Sequence, residues 1–301
     1  MAEFPIGMTS EGPDISVVIP HYNDLARLAL CLAALDAQTI ARDRFEIIVA
    51  DNASPVDPGV LAATIGTRAR LVIATEKGAG PARNAGVAAA RGAILAFTDC
   101  DCVPEASWLA AGVIALGRGD VVGGRMIVSV SSEAAMTGAE AFERVFAFDN
   151  RQYVEKKGFS VTANLLTRRA VFDKVGPFRN GVSEDVDWCH RARALGFALV
   201  YAPDAAVAHP ARANWAELRR KWQRMNVEGF GLVAHDARGK LRWVARSLAL
   251  PLSIVAHAPR VLVSRDLPDA GARLRALATL AGLRLWRMGH GIGLIFGGGH
   301  R

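Results

Sequence analysis

Residues 80–101 read GPARNAGVAAARGAILAFTDCD, and this stretch decides the fold. The alanine-rich segment Gly80–Arg91, with a proline in its first turn, predicts a helix. The apolar run Ala93–Thr98 predicts a buried strand, which leads directly into Asp99 and Asp101. A helix followed at once by a buried strand is half of a βαβ unit, the repeat from which parallel sheets are built.

The same alternation of strand and helix precedes this stretch. The β-branched runs Ile15–Pro20 and Phe45–Ala50 predict two more buried strands, and Arg70–Ala74 predicts a third. Between the first two, Asp24–Ala37 carries leucines at helical spacing. The pattern therefore predicts an α/β fold with a mostly parallel central sheet flanked by helices.

The pattern is less regular farther along the chain. Phe142–Tyr153 predicts a helix, and Glu184–Leu195 predicts another that ends before a glycine. The segments Ser160–Thr167, Phe197–Tyr201 and Ala205–His209 predict separate extended pieces.

Acidic residues stand where the predicted parallel strands end, which is the edge at which such sheets bind ligands. Asp99 and Asp101 can share a hard cation such as Mg²⁺ or Mn²⁺ through oxygen ligands, although aspartates are also common in turns at strand ends. Asp51 can accept hydrogen bonds from a base or a ribose, and it is equally suited to an Asx turn within Asp51–Pro55.

Two further candidate groups lie downstream. Glu184 and Asp185 follow Ser183, a predicted helix N-cap, and acidic residues there suit the helix dipole. Alternatively, one of these carboxylates is a general base that deprotonates an acceptor hydroxyl. His209 is either a ligand for a divalent ion or a buried structural histidine.

The charge distribution sets the end of the chain apart. From Ala205 onward lie 16 of the 36 Lys and Arg residues, but only 5 of the 29 Asp and Glu residues. Leu274–Phe296 predicts an amphipathic helix with Arg273, Arg284 and Arg287 on one face, which favours contact with an anionic membrane surface. The alternatives are a basic face in contact with water, or helices that cap the catalytic domain or form a dimer contact.

Cysteine spacing and the amino terminus indicate the compartment. The four cysteines form no CxxC pair and no zinc-binding spacing. Met1–Asp14 lacks the basic and apolar regions of a signal peptide. These features predict a cytoplasmic protein with reduced thiols, and the basic region favours peripheral contact with the cytoplasmic face of the membrane.

The order of these segments resembles glycosyltransferase family 2, whose members are inverting enzymes of the GT-A fold. The segments that carry the resemblance are ISVVIPHYN (15–23), EIIVADNAS (46–54), GPARNAG (80–86), FTDCDCVP (97–104), ANLL (163–166), GPF (176–178) and SEDVDWCHR (183–191). The resemblance implies a catalytic domain over residues 1–212, with a nucleotide-sugar half at about 15–104 and an acceptor half at about 105–212. Residues 213–301 then form a helical, basic carboxyl-terminal region.

The resemblance also implies roles for individual residues. Asp185 is the implied base, and Glu184 is the alternative. The residues implied in nucleotide-sugar binding are Pro20, Tyr22, Asn23, Asp51, Arg83 and Asp99. The implied ligands of Mg²⁺ or Mn²⁺ are Asp99, Asp101 and His209. A weaker implication places Asn164, Trp188, Trp222 and Arg224 at the acceptor or the diphosphate.

The function implied is metal-dependent transfer of a sugar, with inversion, from a nucleoside-diphosphate donor to an acceptor hydroxyl. A UDP-sugar is the favoured donor, and a glycan or a lipid-linked molecule is the expected acceptor, as in cell-envelope glycan synthesis. The alternatives are a retaining GT-A enzyme and a non-catalytic module that binds nucleotide sugars. Nucleic acid is not an expected partner, because it would explain the basic region but not the acidic strand ends. A pyrophosphorylase is disfavoured because Ile15–Asn23 contains no glycine-rich phosphate loop.

Overall fold

The computed structural model describes residues 12–297, except for the side chain of Leu232. Most of Met1–Asp14, where no signal peptide is predicted, lies outside the described residues. The chain divides into two compact units. One contains Asp149–His209 and the described part of Met1–Ile127; the other contains Val128–Phe148 and the described part of Pro210–Arg301. The segment Val128–Phe148, placed in the acceptor half by the sequence, therefore groups with the carboxyl-terminal helices.

Within residues 12–297, eight strands form one sheet in the order β3-β2-β1-β4-β7-β6-β8-β5. The strands are β1 Ile15–His21, β2 Phe45–Asp51, β3 Arg70–Ile73, β4 Ile94–Phe97, β5 Val103–Pro104, β6 Val121–Ser129, β7 Leu165–Arg168 and β8 Leu199–Pro210. The helices of the first unit are α1 Leu25–Asp36, α2 Pro58–Ile65, α3 Ala79–Ala89, α4 Trp108–Ala115, α6 Asn150–Gln152, α7 Arg169–Val175 and α8 Glu184–Ala194. The second unit contains α5 Gly138–Phe146, α9 Trp215–Val233, α10 Ala237–Leu248, α11 Leu252–Leu262 and α12 Ala270–Gly293.

The first half of the sheet is parallel, as the sequence predicts. β1 pairs in parallel with both β2 and β4, and β2 pairs in parallel with β3. Alternate residues of β1 pack into different clusters: Val17 and Ile19 join one core, and Val18 joins the other. Because the strand is buried on both faces, its sequence is continuously apolar rather than alternating.

Helix α3 packs closely on β1 through a glycine. A Cβ atom built on Gly86 would lie only 2.5 Å from Cγ1 of Val18. A larger residue would push the helix away from the strand, so glycine at this position sets the helix-to-sheet distance. This matters for the site because α3 also carries Arg83.

The second half of the sheet is antiparallel. β7 pairs antiparallel with both β4 and β6, and β5 pairs antiparallel with β8.

Three sequence predictions differ from the structure in the later part of this unit and just before it. The two extended pieces predicted between residues 197 and 209 are one strand, β8; the strand predicted over Ser160–Thr167 begins as a 3₁₀ turn at Thr162–Asn164. The helix predicted over Phe142–Tyr153 is interrupted, because α5 ends at Phe146 and a π-helical turn follows at Tyr153–Lys157.

The second unit has its own apolar core, formed by α5, α9 and α12 around residues such as Phe142, Leu218 and Leu280. Arg273, Arg284 and Arg287, which the sequence places on one face of an amphipathic helix, all have partly buried side chains. Within residues 12–297, no helix is long and apolar enough to cross a membrane.

Candidate active site

The loops that follow β1 and β2 are tied together at the carboxyl edge of the parallel strands. His21 Nδ1 lies 2.7 Å from Oδ1 of Asp51, and the Ser54 hydroxyl donates to the same oxygen at 2.5 Å. The Asn23 amide in turn donates to the Ser54 hydroxyl at 2.8 Å. Asn23 and Ala53 both adopt left-handed backbone, with φ of 51° and 54°. Such strain persists only where neighbouring contacts hold it, and here the network supplies them.

The two ring nitrogens of His21 have different partners. Its Nε2 accepts a hydrogen bond from the Asp24 amide at 3.2 Å, so Nδ1 carries the proton that is donated to Asp51. Burial raises the pKa of Asp51, but hydrogen bonds from Ser54 and His21 outweigh it and lower that pKa overall. Asp51 is therefore an ionised carboxylate, 3% exposed, whose oxygens are already engaged by the protein. No role was predicted for His21, although its place just after the predicted strand Ile15–Pro20 is a usable signal.

The exposed groups of this edge lie next to the Asp51 network. The Tyr22 ring is 59% exposed, and Asn23 is also exposed. Pro20 is partly buried at the end of β1. These are the side chains near the end of β1 that are at least partly exposed.

Arg83 joins two acidic segments of the site. Its side chain is 3% exposed and donates to Asp99 at 2.6 Å and to Glu184 at 2.9 Å. Burial lowers the pKa of Arg83, but the charges of Asp99 and Glu184 outweigh it, so its pKa is raised. The family resemblance implies that Arg83 contacts the nucleotide. In the structure, its two terminal nitrogens instead bind Asp99, which follows β4, and Glu184, which begins α8.

Arg83→Lys is expected to destabilise the fold by about 1–3 kcal/mol, because an ammonium lacks the planar fork that spans two carboxylates. The measurement is urea unfolding of both proteins. The matched control is Arg91→Lys, since the Arg91 side chain is 66% exposed in its pair with Glu46; a change within about 0.5 kcal/mol is expected there. A change in unfolding free energy as small for Arg83→Lys as for this control would show that the Arg83 bridge is dispensable.

Asp101 meets His209 because of strand pairing. Val103 of β5 pairs with Ala208 of β8, which brings the residues just before β5 beside the end of β8. His209 Nε2 lies 3.5 Å from Oδ2 of Asp101, and the Asp101 and Asp99 side chains are 27% and 30% exposed. Among the residues that the structure describes, no three His, Cys, Asp or Glu side chains are grouped to hold a metal ion.

This donor set fits an ion that takes part of its coordination from a substrate. Mg²⁺ keeps several waters and is commonly bound by one or two carboxylates together with substrate phosphates, rather than by a closed protein cage. A partly exposed carboxylate beside a nearly buried imidazole is consistent with Mg²⁺ or Mn²⁺ in that mode. The structure therefore brings together Asp101 and His209, with Asp99 on the adjoining turn.

Asp185 and Glu184 lie in the first turn of α8 but differ in their partners. Glu184 is held by Arg83, whereas Asp185 forms no ion pair within the described chain; its Oδ1 accepts from the Val186 amide at 2.8 Å. Burial and the neighbouring Glu184 charge raise the pKa of Asp185. A raised pKa makes a carboxylate a stronger base, so the geometry favours Asp185 over Glu184. Ser183 precedes the helix as predicted, but its hydroxyl makes no capping hydrogen bond.

Two asparagines join the segment before α8 to α3 and to the loop that precedes α3. The Asn84 side chain donates to the Phe178 carbonyl at 2.8 Å and accepts from the Phe178 amide at 2.9 Å. Asn180 donates to the Glu76 carboxylate at 2.8 Å and to the Lys77 carbonyl at 3.0 Å. Neither set of contacts could be predicted from the sequence, since the pairing of segments about a hundred residues apart leaves no local pattern.

Two predicted acceptor contacts are structural residues instead. Trp188 is fully buried against Phe172, and its Nε1 donates to the Gly176 carbonyl at 3.0 Å. Asn164 is fully buried; its amide donates to two backbone carbonyls, and its oxygen accepts from Trp108. Neither side chain has an atom that can reach an acceptor, because a motif position does not reveal which way its side chain points.

The other two weak candidates, Trp222 and Arg224, lie on α9 in the second unit. The Arg287 guanidinium stacks over the Trp222 ring, 3.9 Å from its centroid. Arg224 lies 3.7 Å from Glu228, one turn along the same helix, and both side chains are largely exposed.

Comparison with known proteins gives consistent matches. The model of glycosyl transferase family 2 matches residues 16–176. Glycosyltransferase AglE of Haloferax volcanii is 34% identical over 275 residues, which span 88% of this chain and 88% of that protein.

Solved structures match over nearly the whole chain. Mannosyltransferase PcManGT from Pyrobaculum calidifontis, in complex with GDP-Man and Mn²⁺, has a TM-score of 0.57 at 21% identity, covering 96% of this chain and 88% of its own. TarS 1-349 from S. aureus, in complex with UDP-GlcNAc, has a TM-score of 0.53 at 17% identity, covering 92% of each chain. At such identities the likeness shows a shared fold, which confirms the predicted α/β class.

Proposed function

The chain belongs to glycosyl transferase family 2, with the GT-A fold and the activity of a glycosyltransferase, and on that premise we propose that it transfers a sugar, with inversion, from a nucleoside-diphosphate donor to an acceptor hydroxyl. The observation that carries this proposal is the Arg83 bridge. It links Asp99 to Glu184 in the first turn of α8, which supports a common space for the proposed metal ligands and the proposed base.

The donor side is proposed to lie over the β1 and β2 loops. Tyr22 stacks on the base, while Asn23 and the backbone fixed by Asp51 contact the ribose. Asp99, Asp101 and His209 would hold Mg²⁺ or Mn²⁺, which when bound supplies positive charge that stabilises the departing diphosphate. Two solved proteins of this fold carry GDP-Man and UDP-GlcNAc. The proposed donor is a UDP-sugar, and a GDP-sugar is the comparison donor in the release assay.

The acceptor side is proposed to centre on Asp185. Its carboxylate takes the proton from the acceptor hydroxyl as that oxygen attacks the anomeric carbon. Because the attack is direct, the sugar configuration inverts and no covalent intermediate forms. A retaining enzyme would give the opposite product anomer, which NMR of the product distinguishes. The proposed acceptor is a glycan or a lipid-linked molecule in cell-envelope glycan synthesis.

Asp101→Asn is expected to weaken metal-dependent nucleotide binding at least about tenfold, because even residues that only support a metal ligand cost about 10- to 100-fold in metal affinity. Titration calorimetry of the nucleoside diphosphate with Mn²⁺, and then with EDTA, measures the effect. The matched control is Asp43→Asn, an exposed aspartate that precedes the amino end of β2. Unchanged binding in Asp101→Asn would remove this residue from the metal site.

The place of action is proposed to be the cytoplasmic face of the membrane, with peripheral contact through the basic second unit. Support comes from the charge distribution, since most basic residues after Ala205 have no acidic counterpart nearby in the sequence. A cytoplasmic enzyme of this kind meets both nucleotide sugars and lipid-linked acceptors.

A further inference from the structure

The second unit contains a cavity of about 330 Å³ that the proposed reaction does not use. Helices α9, α10 and α12 and the turn after α10 contribute to it, and none of the described residues that line it is acidic. Its walls are formed by Trp222, Met225, Asn226, Gly229, Trp243, Arg246, Ser247, Leu250 and Arg287. A cavity lined by arginine, indole and amide groups without a carboxylate is suited to an anionic ligand.

Arg287 is held in place at this cavity without a counter-ion. Its guanidinium stacks on Trp222 at 3.9 Å, and its Nε donates to Oδ1 of Asn226 at 3.2 Å. Asn226 is 3% exposed and also donates to the Arg287 carbonyl, at 3.5 Å. In the described part of the chain no carboxylate pairs with Arg287. The stack and the Nε bond fix the plane of the guanidinium and leave its two terminal nitrogens for a ligand.

The surroundings of Arg287 add positive charge. Burial, together with Arg284 and Arg246, lowers the pKa of Arg287 to about 10. Nearby donors also lack acceptors: Nε of Arg284 and Nε1 of Trp222 are buried without a hydrogen-bond partner in the described chain. Buried donors are nearly always satisfied in folded proteins, so this group of cations and unpaired donors calls for a ligand that supplies negative charge and several acceptor oxygens.

The rim of the cavity is apolar. Leu250 and Met225 line it, and three large apolar side chains are exposed between the end of α10 and the first turn of α11: Leu248, Leu252 and Val255 are 55%, 75% and 77% exposed. Exposed apolar groups beside a cationic cavity fit a ligand that is both charged and apolar. A soluble anion would use the arginines and leave these side chains in water.

We propose that this cavity binds the phosphate group of a membrane lipid. Arg287 and Arg246 donate to the phosphate oxygens, and the segment Leu248–Val255 contacts the acyl region. The Trp243 indole forms a rigid wall, because its Nε1 is already bonded to the Gly291 carbonyl at 2.8 Å. The proposal does not rest on the transferase reaction, since lipid binding can be measured without any sugar donor.

The test is sedimentation of the full-length protein with phosphatidylcholine vesicles, with and without phosphatidic acid. Wild-type protein is expected to bind the vesicles that contain phosphatidic acid. Arg287→Gln is expected to bind them about tenfold or more weakly, because it loses a charge-assisted hydrogen-bonding fork. Arg265→Gln, the same change at an exposed arginine of this unit, is expected to bind like wild type.

Three results would overturn the proposal. Equal losses in Arg287→Gln and Arg265→Gln would show that only overall charge matters. Equal binding to vesicles without phosphatidic acid would show that phosphate recognition is absent, and calorimetric binding of inorganic pyrophosphate without vesicle binding would show a site for soluble anions. If circular dichroism shows that Arg287→Gln is unfolded, Arg246→Gln takes its place, because Arg246 is exposed and the same loss is expected.

Discussion

Asp185→Asn is expected to reduce glycosyl transfer by about 10²–10⁴-fold, the usual contribution of a general base. Asparagine keeps the size of the side chain and can still accept from the Val186 amide, but it cannot take a proton. Because Asp185 is proposed to act on the acceptor, the affinity for the donor nucleotide is expected to stay unchanged. Single-turnover transfer and nucleotide calorimetry measure the two quantities separately.

The pH dependence gives a second readout for Asp185. A base acts only when deprotonated, so transfer is expected to fall as the pH drops through the Asp185 pKa, which burial raises above its ordinary value of 3.8. In Asp185→Asn this acidic limb is expected to disappear. Asp187→Asn is the matched control: it lies in the same helix, and its ion pairs with Arg179 and Arg191 are away from the proposed chemistry. Full activity in Asp185→Asn, with loss in Glu184→Gln, would make Glu184 the base.

Glu143→Gln is expected to destabilise the second unit by about 3–5 kcal/mol, the cost of breaking a buried ion pair from one side. Glu143 is 1% exposed and accepts from Lys221 at 2.7 Å and from the Arg212 amide at 2.8 Å. The glutamine has a similar shape, but it leaves the Lys221 ammonium without its counter-charge. Tryptophan fluorescence during urea unfolding reports on this unit, because four of the six tryptophans lie in it.

The effect of Glu143→Gln is expected to depend on pH. Burial raises the pKa of Glu143, but Lys221 and Arg212 outweigh it and lower that pKa below its ordinary value of 4.5. The stabilisation is therefore fully present above the ordinary pKa and is lost as the pH falls through the lowered folded-state pKa. Glu228→Gln is the control, since its pair with Arg224 is exposed and is worth at most about 1 kcal/mol. A similar small loss for both variants would show that the buried pair is not important for stability.

The parallel half of the sheet could be predicted because strands buried on both faces leave a continuous apolar signal, as in β1 and β2. The antiparallel half was predicted less accurately. β8 contains Pro203 and Asp204, which are typical of a break, yet the strand continues through them because its neighbours in the sheet hold it. Local propensity was overridden there by tertiary pairing.

The candidate site shows the same division. Asp99 and Asp101 could be proposed from position, because they follow a buried strand at the edge where such sheets bind ligands, whereas Asp185 was proposed as a base only through the family resemblance. The partners of Arg83 and His21 were not predicted, since they are fixed by contacts between distant segments. Burial was the property least visible in the sequence, as the interior positions of Trp188 and Asn164 show.

The most direct test of the proposed transferase site is nucleoside diphosphate release by the purified protein from UDP-, GDP- and dTDP-sugars, with Mn²⁺ or Mg²⁺. We expect release from one donor, its disappearance with EDTA, and its near absence in Asp101→Asn. No release from any of these donors, together with no metal-dependent nucleotide binding, would contradict the assignment of the donor site to the Asp99–Asp101 edge of the sheet.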